Sequence, residues 1–428
     1  MKTLFPYQHV GVDYLLANDR AILGDEQGLG KTPQTVAAAR ADRTIQRVLV
    51  IAPASLLINW AREWADVYPD WTGKLEIVSY NKAVDRAEEL SGQFWDLVVC
   101  DEAHYLKNRD AKRTIATFLI ARKATRLWLL TGTPMPNNPS ELWTLLRATR
   151  PDLIVNPKVP TKSMSFYRFR DEFCHVVDNG YGQEIKGGRN LDKLAGIMAK
   201  AMLRRTKAEV LDLPPMFVGR CYVEGKITRE LRDLEAEFGD QIRDALARHE
   251  AGDTDALREL APHVAKLRRV IGTVKAPAVA QMVLDRLEAT ENAPIVVFAH
   301  HTEVVETIAT ILRKAGVSVC TLTGSSSQKQ RQDAVDGFQA GVYDVFIGNI
   351  QAAGVGITLT RSSYEIFAEE DWVPSNNAQA MARCHRIGTK SAVNVMFCAL
   401  AGSIDEAIQA AVARKSADIS AVLMDDAR

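Results

Sequence analysis

The chain has 428 residues, 47% of them hydrophobic and 25% charged, the proportions of a globular protein that buries a real core. By length there is room for about three average domains or two larger ones. Its 53 basic and 53 acidic side chains give a formal net charge of zero, so no overall positive field announces a polyanion partner, and any nucleic-acid contact must rest on locally segregated charge.

Six scattered cysteines without a CxxC pair read as reduced thiols in a cytoplasmic protein (the host cytoplasm if viral), not as a disulfide frame or a zinc site. The N-terminal "MKTLFPYQHVGVDYLL" lacks the uninterrupted apolar core and cleavage pattern of a signal peptide. The longest apolar stretch, "VLVIAPASLLINW", is short and broken by Pro53, so no membrane span is expected.

Residues 1–150 alternate apolar runs with helical patterns. "RAILGDEQGLGKT" reads as a strand, a glycine-rich loop and a helix start; "RVLVIAP", "WDLVVCDE" and "RLWLLTGTP" read as further strands. Continuous apolar strands separated by amphipathic stretches such as "SLLINWAREWADVY" predict a parallel sheet covered on both faces. Residues 151–275 differ. A proline-rich loop precedes a predicted hairpin bent at Asp178-Asn179-Gly180, and two charged helices follow, "TRELRDLEAEFGDQIRDALARHE" and "DALRELAPHVAKLRRVIG". From 276 to 428 the α/β alternation returns. Pro277 is expected to open a helix, with "APIVVFAHH", "VSVCTLTG" and "YDVFIGN" as strands and Gly316 ending a helix between them.

"GDEQGLGKT" has the composition of a phosphate loop, in which Gly28 and Gly30 let backbone N–H groups face phosphate oxygens at a helix N-terminus. Lys31 would then reach the β and γ phosphates, and the Thr32 hydroxyl would bind Mg²⁺. The strict GxxxxGK[ST] pattern has glycine where Asp25 stands. At the end of "LVVCDEAH", Asp101 and Glu102 sit where open parallel sheets bind ligands, Asp101 suited to hold Mg²⁺ through water and Glu102 to orient or deprotonate the attacking water. In "QAMARCHRIGT", Arg383 and Arg386 are spaced to share a helix face, while adjacent Cys384 and His385 cannot easily converge on one metal. Two arginines on a second lobe can complete an ATP site whose loop lies on the first. The clusters "LRRTK" (204–207 with the preceding leucine) and "KLRR" (266–269) suit either a DNA grip or pairing with acidic helix surface.

"LFPYQHVGVDYLL", "GDEQGLGKT", "VLVIAPASLLINWAREW", "CDEAH", "LTGTP", "MLRRTKAEVLDLPP", "VVFAHH", "TLTGSSSQKQRQDAV", "AAGVGITLT" and "QAMARCHRIGT" occur in that order over nearly the whole chain. The set resembles the motifs of the Swi/Snf-type ATPases of helicase superfamily 2. "GGRNLDKL…MLRRTKAEVLDLPP" and "FAHH" are most similar to the annealing-helicase, fork-remodelling branch. The resemblance implies an α/β fold of two RecA-like lobes: an ATP-binding core over 1–150, an insertion and inter-lobe region over 151–275, and a second lobe over 276–428. It implies ATP and Mg²⁺, and a monomeric translocase on double-stranded or forked DNA, with a targeting protein left open. By the same resemblance Gln8 reads the adenine, and Thr131 and Thr133 couple nucleotide state to the DNA groove. Backbone contacts are implied at Pro53 to Ser55, Gly324 to Ser326 and Gly354 to Thr358. The chain departs from the family at Ala382, Thr389 and Val373, which puts fine coupling in question. A bare motor of this kind is expected from a bacterial or viral source. Two rival readings stay open: a strand-separating DNA or RNA helicase, and an ATP-gated nucleic-acid-binding factor of low turnover.

Overall fold

In the computed structural model of the chain, which describes residues 3–135, 138–178, 183–250, 260–353 and 357–413, the apolar runs form two six-stranded sheets. The described strands are, in chain order, β1 (Arg20–Leu23), β2 (Arg47–Ala52), β3 (Lys74–Ser79), β4 (Leu97–Asp101), β5 (Arg126–Leu130), β6 (Val155–Asn156), β7 (Val159–Ser163), β8 (Cys174–Asp178), β9 (Gln183–Gly188), β10 (Met202–Leu203), β11 (Met216–Val223), β12 (Ile295–Ala299), β13 (Val319–Leu322), β14 (Val345–Asn349), β15 (Tyr364–Phe367) and β16 (Val393–Leu400), of which β6 with β7 and β8 with β9 form separate two-stranded sheets. The first sheet runs β10-β1-β5-β4-β2-β3 and the second β11-β16-β15-β12-β14-β13, with parallel pairing throughout. Strands buried on both faces read as near-continuous apolar runs, and β4, β12 and β14 are buried along their whole length, with polar Asp101 and Asn349 only at their ends. The expected α/β fold of two sheets covered by helices is what the chain adopts.

The chain divides into two compact units, one built on the first sheet and reaching Asp212, the other on the second sheet from Leu213 onward. Segment 151–275 is shared between them, since β10 closes one edge of the first sheet and β11 one edge of the second. Strands flank the predicted hairpin, but its bend at Asn179 and Gly180 lies outside the described residues, as does the start of the second charged helix. Among the described residues, no helix is long and apolar enough to cross a membrane.

Pro277 corrects one expectation: it lies inside a 29-residue helix, Ala261–Ala289, and does not open it. An internal proline loses a backbone hydrogen bond and costs ~3 kcal/mol or more. Burial on both sides offsets that cost. Leu267 and Ile271 pack with Leu231 and Leu234 of the helix Arg229–Glu250, while Val279, Val283 and Leu287 pack on the second sheet.

In the first sheet β1, β5 and β4 are neighbours, so the segments after Leu23, Leu130 and Asp101 leave the same end side by side. That end is where open parallel sheets bind ligands.

A candidate nucleotide site at the end of the first sheet

The glycine-rich loop joins β1 to the helix Lys31–Ala41. Gly28 (φ 89°) and Gly30 (φ 72°) take the left-handed conformation that L side chains resist, and a Cβ on Gly30 would lie 2.5 Å from Gln8 Nε2. Gln8 thus sits directly on the loop. Its Nε2 donates to the Leu29 carbonyl at 3.1 Å, beside the Tyr7 hydroxyl at 3.0 Å, and its Oε1 accepts from Phe5 N at 3.0 Å. Lys31 Nζ lies within the curl of the loop and donates to the Asp25 carbonyl at 2.7 Å. Burial lowers the Lys31 pKa, against the opposing pull of Glu102, Asp25 and Asp101.

Asp25, where the loop pattern has glycine, is fully buried and structural. Arg205 grips it with two hydrogen bonds, Nε to Oδ1 at 2.9 Å and Nη2 to Oδ2 at 2.5 Å, and also donates to Gln34 Oε1 at 2.9 Å. Arg204 donates to the carbonyls of Gly24 (2.8 Å) and Gly132 (3.2 Å), and the Lys207 amide donates to Glu26 at 2.7 Å. The basic cluster "LRRTK" therefore holds the loop from behind. In the second unit, Arg269 pairs with Glu303 and Arg268 donates to the Glu370 carbonyl, so two members of "KLRR" are also engaged.

Asp101 ends β4, and Glu102 follows with φ 49°. The Asp101 carboxylate accepts from Trp60 Nε1 at 2.8 Å and from the Glu102 amide at 2.9 Å, while the Tyr80 hydroxyl donates to the Asp101 carbonyl at 2.9 Å. Burial, and after it the Glu102 charge, push Asp101 up to about 6 against the Trp60 hydrogen bond and Lys31. His104 Nδ1 lies 3.2 Å from Glu102 Oε2 and 3.3 Å from the hydroxyls of both Thr131 and Thr133. Those two threonines, expected to couple, thus reach Glu102 through one imidazole. Trp60 and Tyr80 carry no signal in the sequence, and Arg204 and Arg205, expected to grip DNA or pair with acidic helix surface, instead brace the loop. Only the quoted "LRRTK" and "CDEAH" strings held a signal for their neighbourhood.

Gln27 tests whether this site suits a triphosphate. Its side chain is 7% exposed, neither amide atom has a hydrogen-bond partner among the described residues, and its Cγ would lie 2.6 Å from a Cβ on Gly132, whose other neighbour is Lys31 Nζ at 3.4 Å. A buried orphaned amide beside a lysine, at a glycine-rich helix start and near paired carboxylates, fits a nucleotide with a divalent ion. Thr32, the second residue of the helix, is half-buried at the same loop.

In the second unit, the helix Pro374–Met381 ends before Arg383, so the two arginines stand in the turn beyond it and not on one helix face. They converge nonetheless. Arg383 Nε donates to the Gln379 carbonyl at 2.9 Å, and both side chains reach the Ile357 carbonyl, Arg383 at 3.4 Å and Arg386 at 3.1 Å. Arg386 also donates to the Thr358 hydroxyl at 3.0 Å. Cys384 is buried, which raises its thiol pKa well above the ordinary value, and His385 Nε2 lies 2.8 Å from the Pro214 carbonyl. Among the described residues no group of His, Cys, Asp and Glu is arranged to hold a metal.

The backbone-contact candidates are dispersed. Pro53 is buried and Ser55 half-exposed at the short helix after β2; Gly324 is exposed, and Ser326 Oγ accepts from the Thr323 amide at 3.0 Å. Gly354 lies outside the described residues.

Two family models match the chain: the SNF2-related domain over residues 7–70 and 69–225, and the helicase conserved C-terminal domain over 275–388. A Caenorhabditis elegans protein described as a homolog of SWI/SNF-related matrix-associated actin-dependent regulator of chromatin subfamily A-like protein 1 is 30% identical over 442 residues, 97% of this chain and 61% of its own length. The DNA annealing helicase and endonuclease ZRANB3 of Bos taurus is 29% identical over 444 residues, 96% of this chain and 40% of its own. The chain therefore spans 61% and 40% of these two relatives. Among solved structures, the Sulfolobus solfataricus SWI2/SNF2 ATPase core in complex with dsDNA matches with a TM-score of 0.45 and 24% identity, covering 98% of this chain and 95% of that one.

Proposed function

Because the chain belongs to the SNF2-related family and carries that family's helicase C-terminal domain, we propose that it hydrolyses ATP to translocate along double-stranded DNA, remodelling DNA or protein–DNA structures. The observation that carries this reading is the convergence, at one sheet end, of Lys31 with the Asp101–Glu102 pair and its link through His104 to Thr131 and Thr133. Lys31 binds the β and γ phosphates, Gln8 faces the adenine, and Glu102 orients the attacking water and accepts its proton. Thr32 and Asp101 would hold Mg²⁺, which supplies charge neutralisation at the phosphates. Arg383 and Arg386 supply positive charge to the phosphoryl group in transfer. Ser55, Ser326 and Thr358, with the small residues beside them, bind the phosphodiester backbone without reading bases. The finer reading, action on forks with strand reannealing, is supported by relatives described as annealing helicases. The protein is proposed to work as a monomer in the cytoplasm.

ATP turnover is to be measured alone and with duplex, single-stranded and forked DNA and with RNA, with Glu102→Gln as the control. Strong stimulation by duplex DNA is expected, and a further gain on forks supports the finer reading. Stimulation by RNA alone overturns the proposal in favour of an RNA helicase. No stimulation by any nucleic acid leaves an ATP-gated binding factor as the better description.

A further inference from the structure

A pocket of about 540 Å³ opens on the first unit at the other end of its sheet. Arg20 is the first residue of β1 and Leu127 the second of β5, so both lie at the strand starts, away from the loops that follow Leu23 and Leu130. The helix Lys112–Ala121 supplies Ile115 and Phe118 to its wall, and the helix Leu142–Thr149 supplies Trp143. Ile115 is 58% exposed, an apolar side chain of a water-facing wall with nothing packed over it among the described residues.

Charge makes the pocket specific. Arg20, Arg122 and Arg147 stand on its rim, and none of them pairs with a carboxylate among the described residues. Arg109, the fourth arginine of the lining, is held by Asp110 and the Tyr167 hydroxyl. Among the described residues no acidic side chain lines the pocket. Within the wall, Thr114 is 1% exposed and its hydroxyl has no hydrogen-bond partner among the described residues, a buried group that an incoming polar atom would satisfy.

An apolar wall ringed by uncompensated guanidinium groups matches one kind of ligand: an apolar anchor carried between carboxylates. Arginine forks bind carboxylates with two parallel hydrogen bonds, and a large side chain inserted in such a pocket is the usual source of interface affinity. A DNA duplex does not enter a concave pocket of this size, and a single strand needs an extended basic groove that tracks its backbone. We propose that this pocket docks an acidic segment of a partner protein, which inserts one large apolar side chain against Ile115, Phe118 and Trp143 while flanking carboxylates pair with Arg20, Arg122 and Arg147. The site is separate from the ATP machinery, so it recruits or positions the protein without altering turnover.

The test uses the full chain against an immobilised array of hexapeptides with two acidic residues at each end and two apolar or aromatic residues between. Matched arrays carry serine or lysine for the carboxylates, or alanine for the apolar pair. Retention on the acidic, apolar set is expected. The strongest binder, labelled with fluorescein, should lose at least about tenfold in affinity to an Arg122→Glu/Arg147→Glu variant, as reversal of charges facing carboxylates implies. Thr114→Val, of the same shape, should weaken it less. Both arginines are exposed, and unchanged basal ATP turnover and melting temperature would show the variant folded. Equal retention on serine and acidic peptides, no retention, or affinity indifferent to the charge reversal overturns the proposal. Displacement of the peptide by oligothymidylate at matched charge, with the same arginine dependence, replaces it with a single-strand site.

Discussion

Asp25 and Arg205 are far apart in sequence yet form a two-pronged pair inside the first unit, the carboxylate with 0% and the guanidinium with 11% side-chain exposure. Removing one member of a buried pair strands the other charge, at ~3–5 kcal/mol. Arg205→Ala should therefore lower the melting temperature markedly and loosen nucleotide binding, because Asp25 also receives a hydrogen bond from Gln34 behind the loop. Asp25→Asn combined with Arg205→Gln should recover much of the loss, which paired thermal melts would read. Gln27 works in the opposite sense. Its orphaned amide costs stability until a ligand pairs it, so Gln27→Met should raise the nucleotide-free stability by about 1 kcal/mol and shrink the additional thermal shift produced by ATP. Glu370, in the second unit, gives a pH signature. Burial raises its carboxyl from 4.5 to about 7, with Arg220, Lys275 and Arg268 opposing and Asp405 adding. The folded state therefore holds this proton to higher pH than the unfolded chain. Its contribution is fully present below about 4.5 and is lost as pH rises toward 7. Glu369 and Asp371 are lowered and run the other way, losing stability as pH falls. Glu370→Gln should thus stabilise by about 1–3 kcal/mol at pH 8 and by little at pH 4.5, in melts at both values. The roles expected of Lys31, Asp101 and Glu102 rest on short motifs whose residues are neighbours in sequence, and the structure brings the three to one sheet end. The motifs left Asp25 unexplained, since its partner is brought in by β10, a strand of only two residues.

The helix Ala261–Ala289 shows what an element adds. A glycine inside a helix ordinarily costs up to ~1 kcal/mol relative to alanine, so Gly272→Ala would stabilise an isolated helix. Here a Cβ would stand 2.4 Å from Glu369 Oε1 and 2.9 Å from Val304 Cγ2. That carboxylate is not free to swing away. It accepts from the amides of His300 (3.0 Å) and His301 (2.8 Å), lies 2.7 Å from His301 Nδ1, and is buried. Overpacking costs ~1–3 kcal/mol, so Gly272→Ala should destabilise, and a raised melting temperature would refute the anchor. The same contrast explains which strands could be read. β12 is an unbroken apolar run, and β2, β4 and β14 are apolar but for Arg47 at the start of the first and Asp101 and Asn349 at the ends of the others, so burial on both faces is visible in them. β15 carries the fully buried Glu365, β16 begins with an asparagine alternation, and β11 is an edge strand with Phe217, Val218 and Tyr222 exposed. Their pairing is set by neighbours distant in sequence, and periodicity does not report it. Pro277 failed for the same reason: the local rule was sound, and packing on both sides of it outweighed the rule.

At the scale of the molecule, the balanced charge constrains how the proposed motor meets DNA. With 53 basic and 53 acidic side chains, with Arg204, Arg205 and Arg268 held by carbonyls or a carboxylate, and with the exposed Arg269 paired to Glu303, no broad cationic surface is implied by composition. The proposed contacts at Ser55, Ser326 and Thr358 are hydroxyl and backbone groups, which position a duplex but displace few counterions on their own. Duplex-stimulated turnover should still fall as NaCl rises from about 50 to 200 mM, because any phosphate contact made by lysine or arginine releases counterions. The slope, however, should be shallow, corresponding to few neutralised phosphates, in contrast with the ~6–10 of a strongly basic binder. Turnover without DNA should be nearly constant over the same range, since Asp101 is buried and Lys31 half-buried against their own partners and both are screened little by salt. Measuring both at saturating ATP separates the two. A steep slope would place the DNA on basic surface outside the motif contacts, and parallel loss in both conditions would place the salt effect in the nucleotide site.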